Sequence, residues 1–260
     1  MASPRLLRRI EGFCQRAATR SFFKRPVTVD LQQPIISFTF DDFPRSALLT
    51  GGAILERFGL RGTYYASFGL MGRTAPTGEI FGPEDAAALV ARGHELGCHT
   101  FSHCHSWETR TNEFESSLLE NRAALETLLP GARFRTFSYP ISPPRPHTKR
   151  MVGQRFAAAR GGGQTFNVGQ ADLTYLRAYF LEKARHDRHA IKSLIEQNRA
   201  ARGWLIFATH DVCNAPTPYG CTPDLFEDIV NCSVRSGARI VPVAEAIQLA
   251  SVQEAAHELR

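Results

Sequence analysis

Two adjacent carboxylates end an apolar run near the beginning of the chain. The segment ISFTFDDFP has apolar residues at alternating positions, followed at once by Asp41 and Asp42. A charge held against apolar surroundings is costly unless it is neutralised, so these carboxylates should face a cation, a proton or a polar partner. If the chain stays extended, the two side chains point to opposite faces. One can then bind a metal ion while the other accepts a proton, because their environments differ.

A histidine-rich segment offers matching metal ligands. In CHTFSHCH, His99 and His103 are four residues apart, so both imidazoles face the same way in a helical or turn-like conformation. Two imidazoles and one carboxylate are a common ligand set for a catalytic zinc, and they leave positions open for water and substrate. Cys98, Cys104 and His105 flank the pair and could be ligands instead. We expect Cys98 to be a small buried residue and His105 to support the site or to lie at the surface.

Further polar residues follow other apolar runs. His210 follows WLIFAT and precedes Asp211, and Tyr139 closes the run FRTFSY. In β/α folds the functional residues gather at the carboxyl ends of the strands. We therefore expect these residues to share a site with the aspartates and histidines. His210 could be a general acid that protonates a leaving group, or alternatively a core histidine bonded to the backbone.

Strand-like runs alternate with helical stretches along the chain. This alternation predicts an α/β fold with a mostly parallel sheet, and the number of units favours a distorted (β/α) barrel of about seven or eight units. No G-x-G-x-x-G follows a strand and no G-x-x-x-x-G-K-[ST] is present, which weakens a dinucleotide or P-loop interpretation. The predicted strands are Ile35–Phe40, Gly62–Ala66, Glu95–His99, Phe134–Tyr139, Phe156–Ala159, Leu176–Phe180, Trp204–Thr209 and Ala238–Val241. The predicted helices are Ser46–Phe58, Pro83–Arg92, Asn112–Leu129, Asp187–Ala201, Pro223–Ser236 and Val243–Leu259.

The positive charge is confined to the N-terminus. Residues 1–25 hold seven basic residues and one acidic residue, which accounts for the whole net charge of +6, while the other bases and acids cancel. A neutral body gives no reason to expect a nucleic-acid partner. We therefore predict a basic amphipathic arm over residues 1–33 and one domain over residues 34–260.

The arm has apolar residues at helical spacing. One interpretation is a surface helix that packs this stripe on the domain. The alternative is a helix in peripheral contact with the membrane through residues 1–25, attracted by anionic lipid. The stripe consists of Leu6, Ile10, Phe13, Cys14 and Ala17.

The expected cellular location follows from the membrane-spanning, export and cysteine-pair signals, none of which is visible in the sequence. No apolar run reaches the roughly 18 residues that span a bilayer, and no export signal is visible. The six cysteines include no C-x-x-C pair, which favours free thiols in a reducing compartment. We expect a cytoplasmic protein, with peripheral contact at the inner face of the membrane as the alternative.

Four motifs together resemble a known family. TFDD, GHELGCHTFSH, FSYP and IFATH occur in the order and approximate spacing of the polysaccharide deacetylase family, the NodB-type domain of carbohydrate esterase family 4. The resemblance covers the chain from about Pro34 to Pro242. It implies a distorted β/α barrel with fewer than eight complete units, which agrees with the predicted strands. It also implies that Asp42, His99 and His103 bind one divalent metal ion, for which zinc is the expected ion.

The same resemblance implies the remaining roles. Asp41 matches the general base, and His210 matches the general acid. Tyr139 matches a tyrosine whose backbone N–H helps to stabilise the oxyanion. The implied reaction is metal-dependent removal of an N-acetyl group from an amino sugar or oligosaccharide. A cytosolic enzyme with a basic amphipathic arm could instead use a lipid-linked or nucleotide-linked sugar near the inner leaflet. The alternatives are hydrolysis of a non-sugar or formyl amide by the same site, and a catalytically silent barrel that binds glycan.

The chain departs from the family pattern beside the first aspartates and in the third motif. Phe43 stands where the family usually has glycine, and a bulky apolar residue there should reshape the substrate groove. Thr136 stands where the third motif usually has arginine, and the adjacent Arg135 faces away if this segment is a strand.

The fourth motif is not recognisable, and three residues are candidates to support the catalytic groups in its place. They are Asp172, Arg177 and Asp211. We expect Arg177 to replace the missing arginine and to pair with Asp41, since a guanidinium fixes a carboxylate with a planar fork. The alternative is that Arg177 faces solvent on an outer strand surface.

Overall fold

The computed structural model describes residues 4–141 and 143–258, and in that range it contains eight α-helices and twelve β-strands. The helices are α1 (Pro4–Ser21), α2 (Ala53–Arg57), α3 (Pro83–Ala91), α4 (Thr111–Leu128), α5 (Pro146–Arg155), α6 (Arg188–Ala200), α7 (Pro223–Arg235) and α8 (Val243–Glu258). The strands are β1 (Pro26–Val29), β2 (Ile35–Phe40), β3 (Thr63–Ala66), β4 (Thr74–Ala75), β5 (Gly78–Glu79), β6 (Glu95–Cys98), β7 (Thr136–Ser138), β8 (Ala158–Arg160), β9 (Gly169–Asp172), β10 (Tyr179–Phe180), β11 (Trp204–Thr209) and β12 (Arg239–Ile240).

Parallel strands form a curled barrel wall with helices around it. The strand order is β10-β11-β2-β3-β6-β7-β8, and β12 also pairs with β2. Every pairing in this sheet is parallel. A parallel bridge between Arg160 of β8 and Leu176 joins the last strand to the segment that leads into β10. The predicted distorted (β/α) barrel is confirmed.

The two longest strands lie side by side and fix the geometry of the site edge. All six residues of β2 and all six of β11 are buried, which is typical of parallel strands covered on both faces. The N–H of Asp41 continues the ladder by donating to the carbonyl of Thr209 at 2.9 Å. The residues that follow β2 and β11 therefore lie next to each other at the carboxyl end of the sheet.

Most predicted elements agree with the structure within one or two residues at each end. The stretch Ser46–Phe58 begins with π-helical turns over Ala47–Gly52 before α2. Five elements were not predicted, namely α5, β1, β4, β5 and β9. The predicted end of the last helix, Leu259, lies outside the described residues. Among the described helices, none combines the length and the apolar character needed to cross a bilayer.

The N-terminal region is not separate from the barrel in this structure. β1 pairs antiparallel with β9, and Val27, Val29 and Leu31 are buried in the core, so the predicted boundary between residues 33 and 34 falls inside packed structure. Helix α1 is held at its C-terminal end by the buried ammonium of Lys149, which donates to the carbonyls of Thr19 at 2.7 Å and Phe22 at 2.9 Å. A cation at this end of a helix is favourable because the last carbonyls carry partial negative charge.

The same ammonium pairs with Asp172 at 2.6 Å, and this pair ties the N-terminal region to the barrel. Asp172 also accepts hydrogen bonds from the N–H of Arg25 and the hydroxyl of Thr174. Burial acts to raise the pKa of Asp172, but the bonds from Lys149 and Thr174 hold that pKa below its usual 3.8. Asp172, predicted to support the catalytic groups, instead fixes the segment after α1.

We predict that Lys149→Met destabilises the fold by about 3–5 kcal/mol in urea denaturation, because it leaves a half-buried carboxylate unpaired. The matched variant Lys192→Met removes an exposed pair with Asp228 and should cost less than about 1 kcal/mol. Since the folded pKa of Asp172 is lowered, the stabilisation from the pair is present above that residue's usual pKa and is lost as the pH falls below it. The cost of Lys149→Met should therefore shrink below about pH 4. Equal costs for the two variants at neutral pH would contradict this account.

Candidate metal-dependent active site

Asp42, His99 and His103 come together at the carboxyl end of the sheet. The Oδ1 atom of Asp42 lies 3.5 Å from Nε2 of His99 and 3.2 Å from Nε2 of His103. One ligand atom from each of the three lies within 4.8 Å of the others, and no second such group occurs among the described residues. The structure thus brings together the three predicted ligands.

The first histidine is oriented by the neighbouring strand. Nδ1 of His99 lies 2.8 Å from the carbonyl oxygen of Ser138, which can only accept, so Nδ1 carries the proton. Burial lowers the pKa of His99 to about 4, partly offset by Asp41, so the ring is neutral at physiological pH. A neutral imidazole with a free Nε2 lone pair is the form that binds metals.

The donor set fits a divalent ion. Oδ1 of Asp42 is buried and has no hydrogen-bond partner among the described residues, while its Oδ2 accepts from Thr77 at 3.0 Å. A buried carboxylate oxygen left without a partner is costly, and two imidazole nitrogens aimed at it do not neutralise it unless they are protonated. A cation among these three atoms removes that cost, and two nitrogens with one oxygen suit zinc.

The other residues of the histidine segment do not join this group. Cys98 is buried and accepts from the side-chain amide of Asn121, and burial raises the pKa of its thiol to about 12. It is therefore a core residue, as predicted. His105 faces Glu108 at 3.6 Å, and Cys104 lies beside the hydroxyl of Ser102.

Asp41 is paired with a buried arginine. Nη2 of Arg160, at the end of β8, donates to Oδ1 of Asp41. Burial acts to raise the pKa of Asp41, but attraction from Arg160, and then from His99 and His210, holds it well below its usual range. The carboxylate is therefore ionised at neutral pH and held in one orientation.

The prediction that Arg177 pairs with Asp41 is wrong. The side chain of Arg177 is exposed, and the guanidinium on Asp41 is that of Arg160. Arg160 lies between two aromatic faces, with its Cζ 4.9 Å from the ring of Tyr65 and 5.5 Å from that of Phe180. The sequence does carry a signal for Arg160, because this residue directly follows the predicted strand Phe156–Ala159 and so stands at a strand end like the other functional residues.

Tyr139 does not offer the predicted oxyanion donor. Its N–H donates to the carbonyl of Arg160 at 3.1 Å as part of the sheet, and its hydroxyl donates to the carbonyl of Thr174. Pro140 has no N–H, so the next donor along this loop is the N–H of Ile141. Ile141 has a φ of 67° and a side chain that is 70% exposed in the cavity.

His210 faces the site from the end of β11. Its Nδ1 lies 3.2 Å from the carbonyl oxygen of Tyr219, in a loop ordered by Asp211, which accepts from the N–H and hydroxyl of Thr217. The sequence did not reveal Glu182, which interacts electrostatically with His210 and Asp41. Burial raises the pKa of Glu182, and its Oε2 has no hydrogen-bond partner among the described residues.

Phe43 does not reshape the substrate groove as predicted. Its ring is fully buried and packs on Phe81 at 4.7 Å and on Tyr64 at 5.2 Å between ring centroids. The left-handed backbone at Asp42 and Phe43, with φ of 60° and 52°, turns this ring into the core and away from the cavity.

Backbone strain is concentrated around the site. Eight non-glycine residues in the described chain have positive φ, and five of them lie in the loops after β2, β6 and β7. Each such residue costs roughly 1–3 kcal/mol and persists where the surroundings over-determine it, as at functional sites. The five are Asp42, Phe43, Thr100, His103 and Ile141.

One cavity of about 1120 Å³ joins the ligand group to its neighbours. It is lined by both aspartates, the two histidine ligands and His210, which enter from the ends of three different strands, β2, β6 and β11. Cavities that bind small molecules commonly measure about 300–1,000 Å³. This one has room for a ligand larger than a single sugar.

Comparison with known proteins identifies the family. Residues 28–154 match the family model described as polysaccharide deacetylase. Residues 28–154, just under half of the 260-residue chain, belong to the polysaccharide deacetylase family by this match. Among curated protein sequences, none matches this chain significantly.

Solved structures of the same fold are distant in sequence from this chain. Peptidoglycan deacetylase PdaC from Bacillus subtilis is 16% identical, with 88% of this chain and 96% of that chain covered and a TM-score of 0.56. The Xyl-CE4 domain of a multidomain xylanase from the hindgut metagenome of Trinervitermes trinervoides is 17% identical, with 84% and 91% covered and a TM-score of 0.58. BA3943 from Bacillus anthracis, described as a CE4 family pseudoenzyme, is 11% identical, with 83% and 66% covered and a TM-score of 0.57.

We predict that the purified protein binds about one equivalent of zinc, and that His99→Ala or Asp42→Asn loses it, because each removes one of three protein ligands. His105→Ala is the matched control from the same segment and should keep the metal, since His105 faces Glu108. Metal content is measured by atomic emission after dialysis, with circular dichroism as the check on folding. Loss in His105→Ala with retention in His99→Ala would contradict the ligand assignment.

Proposed function

We propose that this polysaccharide deacetylase family member is a metal-dependent hydrolase that removes an N-acetyl group from an amino sugar or oligosaccharide. The observation that supports this most is the arrangement of three metal ligands, an ionised carboxylate and a third histidine around one cavity. Similar folds include both deacetylases and a pseudoenzyme, so the fold alone does not decide activity. The donor set favours an active enzyme.

Asp42, His99 and His103 would hold one divalent ion, zinc in our proposal. A bound zinc supplies a Lewis acid that polarises an amide carbonyl and makes a nearby water more acidic. Thr77 holds the second carboxylate oxygen of Asp42, and Ser138 fixes the ring of His99, so both ligands are oriented before substrate arrives.

Asp41 would accept the proton of the attacking water. Its carboxylate is ionised at neutral pH, and one oxygen is fixed by Arg160, so the other oxygen is the one that can take a proton. Arg160 is a positioning residue, since it acts through Asp41 and is itself fully buried. A carboxylate held in one rotamer loses little orientational freedom on reaction.

His210 would protonate the departing nitrogen. Its Nδ1–H donates to the carbonyl of Tyr219, which leaves Nε2 to transfer a proton. Because the N–H of Tyr139 is engaged in the sheet, we assign the backbone oxyanion donor to Ile141, the next N–H in that loop. The strained backbone of Ile141 is consistent with a functional position.

Two alternatives of the sequence analysis are outcomes of the same test. The site could hydrolyse a formyl or non-sugar amide, or the barrel could bind glycan without turnover. Cytoplasmic location and membrane contact through residues 1–25 stay predictions. The exposed rings of Phe13, Phe22 and Phe23, beside basic residues, support the predicted membrane contact.

We predict that the zinc-loaded protein releases acetate from N-acetylhexosamine derivatives, and that Asp41→Asn and His210→Ala each lower kcat by about 10²–10⁴-fold with metal content unchanged. Acetate is assayed enzymatically across mono- to hexasaccharides, with N-formyl sugars and simple acetamides as comparison substrates. Faster hydrolysis of the N-formyl sugars or the simple acetamides would point to a formyl or non-sugar amide as the substrate. Glycan binding without any acetate release would point to a catalytically silent barrel.

We predict that Arg160→Lys lowers kcat by up to about 10²-fold with little change in KM, because the ammonium lacks the planar fork that orients Asp41. Added guanidinium should partly restore the kcat of Arg160→Ala, which a purely structural role would not allow. Arg202→Lys, which alters an exposed pair with Asp30, is the control and should keep wild-type kcat. An unchanged kcat in a folded Arg160→Lys protein would overturn this role.

A further inference from the structure

A row of basic side chains lines the part of the cavity that the proposed reaction does not use. Arg16, Arg20 and Lys24 enter from α1 and the residues after it, while Arg177 and Lys183 enter from the segments around β10. All five side chains are exposed, and none forms an ion pair with another described residue. We call these five residues the basic wall.

The carboxylates of the same cavity are already engaged or lie at its catalytic end. Asp41 pairs with Arg160, Asp42 belongs to the ligand group, and Asp172 pairs with Lys149. The fourth is Glu182, whose pKa is raised by burial and which faces His210. Glu182 also interacts electrostatically with Lys183, whereas no carboxylate of the cavity forms an ion pair with the other four wall residues in the described part of the chain. A ligand of opposite charge would therefore gain from the basic wall.

The wall is continuous with the catalytic groups through Tyr175 and a run of glycines. Arg16 and Arg20 interact electrostatically with Tyr175, whose ring centroid is 6.1 Å from that of Tyr139. A Cβ on Gly161 would come within 2.1 Å of the Tyr175 ring, so only glycine fits there. Gly163 has a φ of 149° and packs against the side chain of Arg177.

The three glycines Gly161–Gly163 thus give the cavity a floor of bare backbone between the two parts of the wall. The N–H of Gly163 has no hydrogen-bond partner in the described part of the chain. Bare backbone with an available N–H, surrounded by guanidinium groups, is the kind of surface that phosphate oxygens approach closely.

We propose that the substrate is an N-acylated amino sugar that carries a phosphate or diphosphate ester, and that the basic wall binds the phosphate while the acylamino group reaches the metal ligands. This inference rests on the proposed function. A substrate with a single carboxylate could pair with only some of the five cations of the basic wall. A phosphate ester offers more oxygens, and each arginine guanidinium can bind two of them at once. The cavity volume of about 1120 Å³ leaves room for the ester group beside the sugar.

The test compares kcat/KM of the full-length zinc-loaded protein for methyl N-acetylglucosaminide, which is neutral, and for N-acetylglucosamine 1-phosphate. The phosphorylated probe should be favoured by about tenfold or more at low salt, and the preference should shrink as salt is raised. A nucleotide diphosphate sugar and a short-chain lipid phosphate sugar in micelles form two further arms. Whichever of these raises kcat/KM further identifies the source of the phosphate.

Matched variants distinguish an effect of the basic wall on the phosphate preference from an effect of the protein's net charge. Arg16→Ser with Arg20→Ser should lower the preference by about tenfold, while Arg122→Ser with Arg133→Ser removes the same charge from exposed positions outside the cavity and should leave it unchanged. Arg177→Ser tests the opposite side of the wall, where the docking of α1 is not involved. Equal losses in the wall and control variants would overturn the proposal.

Calorimetric binding of N-acetylglucosamine 1-phosphate gives a readout that does not depend on turnover. Tight binding to the zinc-loaded wild type that weakens in the wall variants supports the wall, even if no acetate is released and the proposed function fails. Normal acetate release with equal kcat/KM for the neutral and phosphorylated probes overturns the phosphate inference and leaves the proposed function intact. Absence of phosphate-dependent binding also overturns it.

Discussion

The site depends on the neutralisation of two buried carboxylates that follow each other in the chain. Asp41 and Asp42 are 4% and 5% exposed, so neither can rely on water. Asp41 has the guanidinium of Arg160, and Asp42 has a set of imidazole nitrogens that accommodates a metal ion. Removing either counter-charge would leave an uncompensated buried anion, which is among the costliest changes in a protein interior.

This constraint explains the strain around the site. Two adjacent side chains of an extended strand point to opposite faces, whereas Asp41 and Asp42 must both reach one cavity. The chain achieves this by entering the left-handed region at Asp42 and Phe43, at a cost of roughly 1–3 kcal/mol per residue. The buried packing of Phe43 on Phe81 and Tyr64 holds that turn in place.

The sequence predicted the barrel and the ligand group because both leave local signals. β2 and β11 are continuous apolar runs, and His99 and His103 have a spacing typical of metal ligands. The partner of Asp41 was missed because Arg160 is 119 residues away and its choice depends on which strands become neighbours. Arg160 directly follows the predicted strand Phe156–Ala159, whereas Arg177 lies inside the predicted strand Leu176–Phe180. That difference acquires meaning only in the fold, where strand β8 pairs with β7 and ends at the site.

One buried lysine, Lys149, determines where part of the positive charge of the N-terminal residues lies in the structure. By composition, residues 1–25 resemble a basic tail, and a tail would be expected to move freely. Lys149 instead fixes the end of α1 through two carbonyls and Asp172. A helix held in this way keeps Arg16 and Arg20 at the cavity, so part of the positive charge of residues 1–25 lies beside the candidate active site.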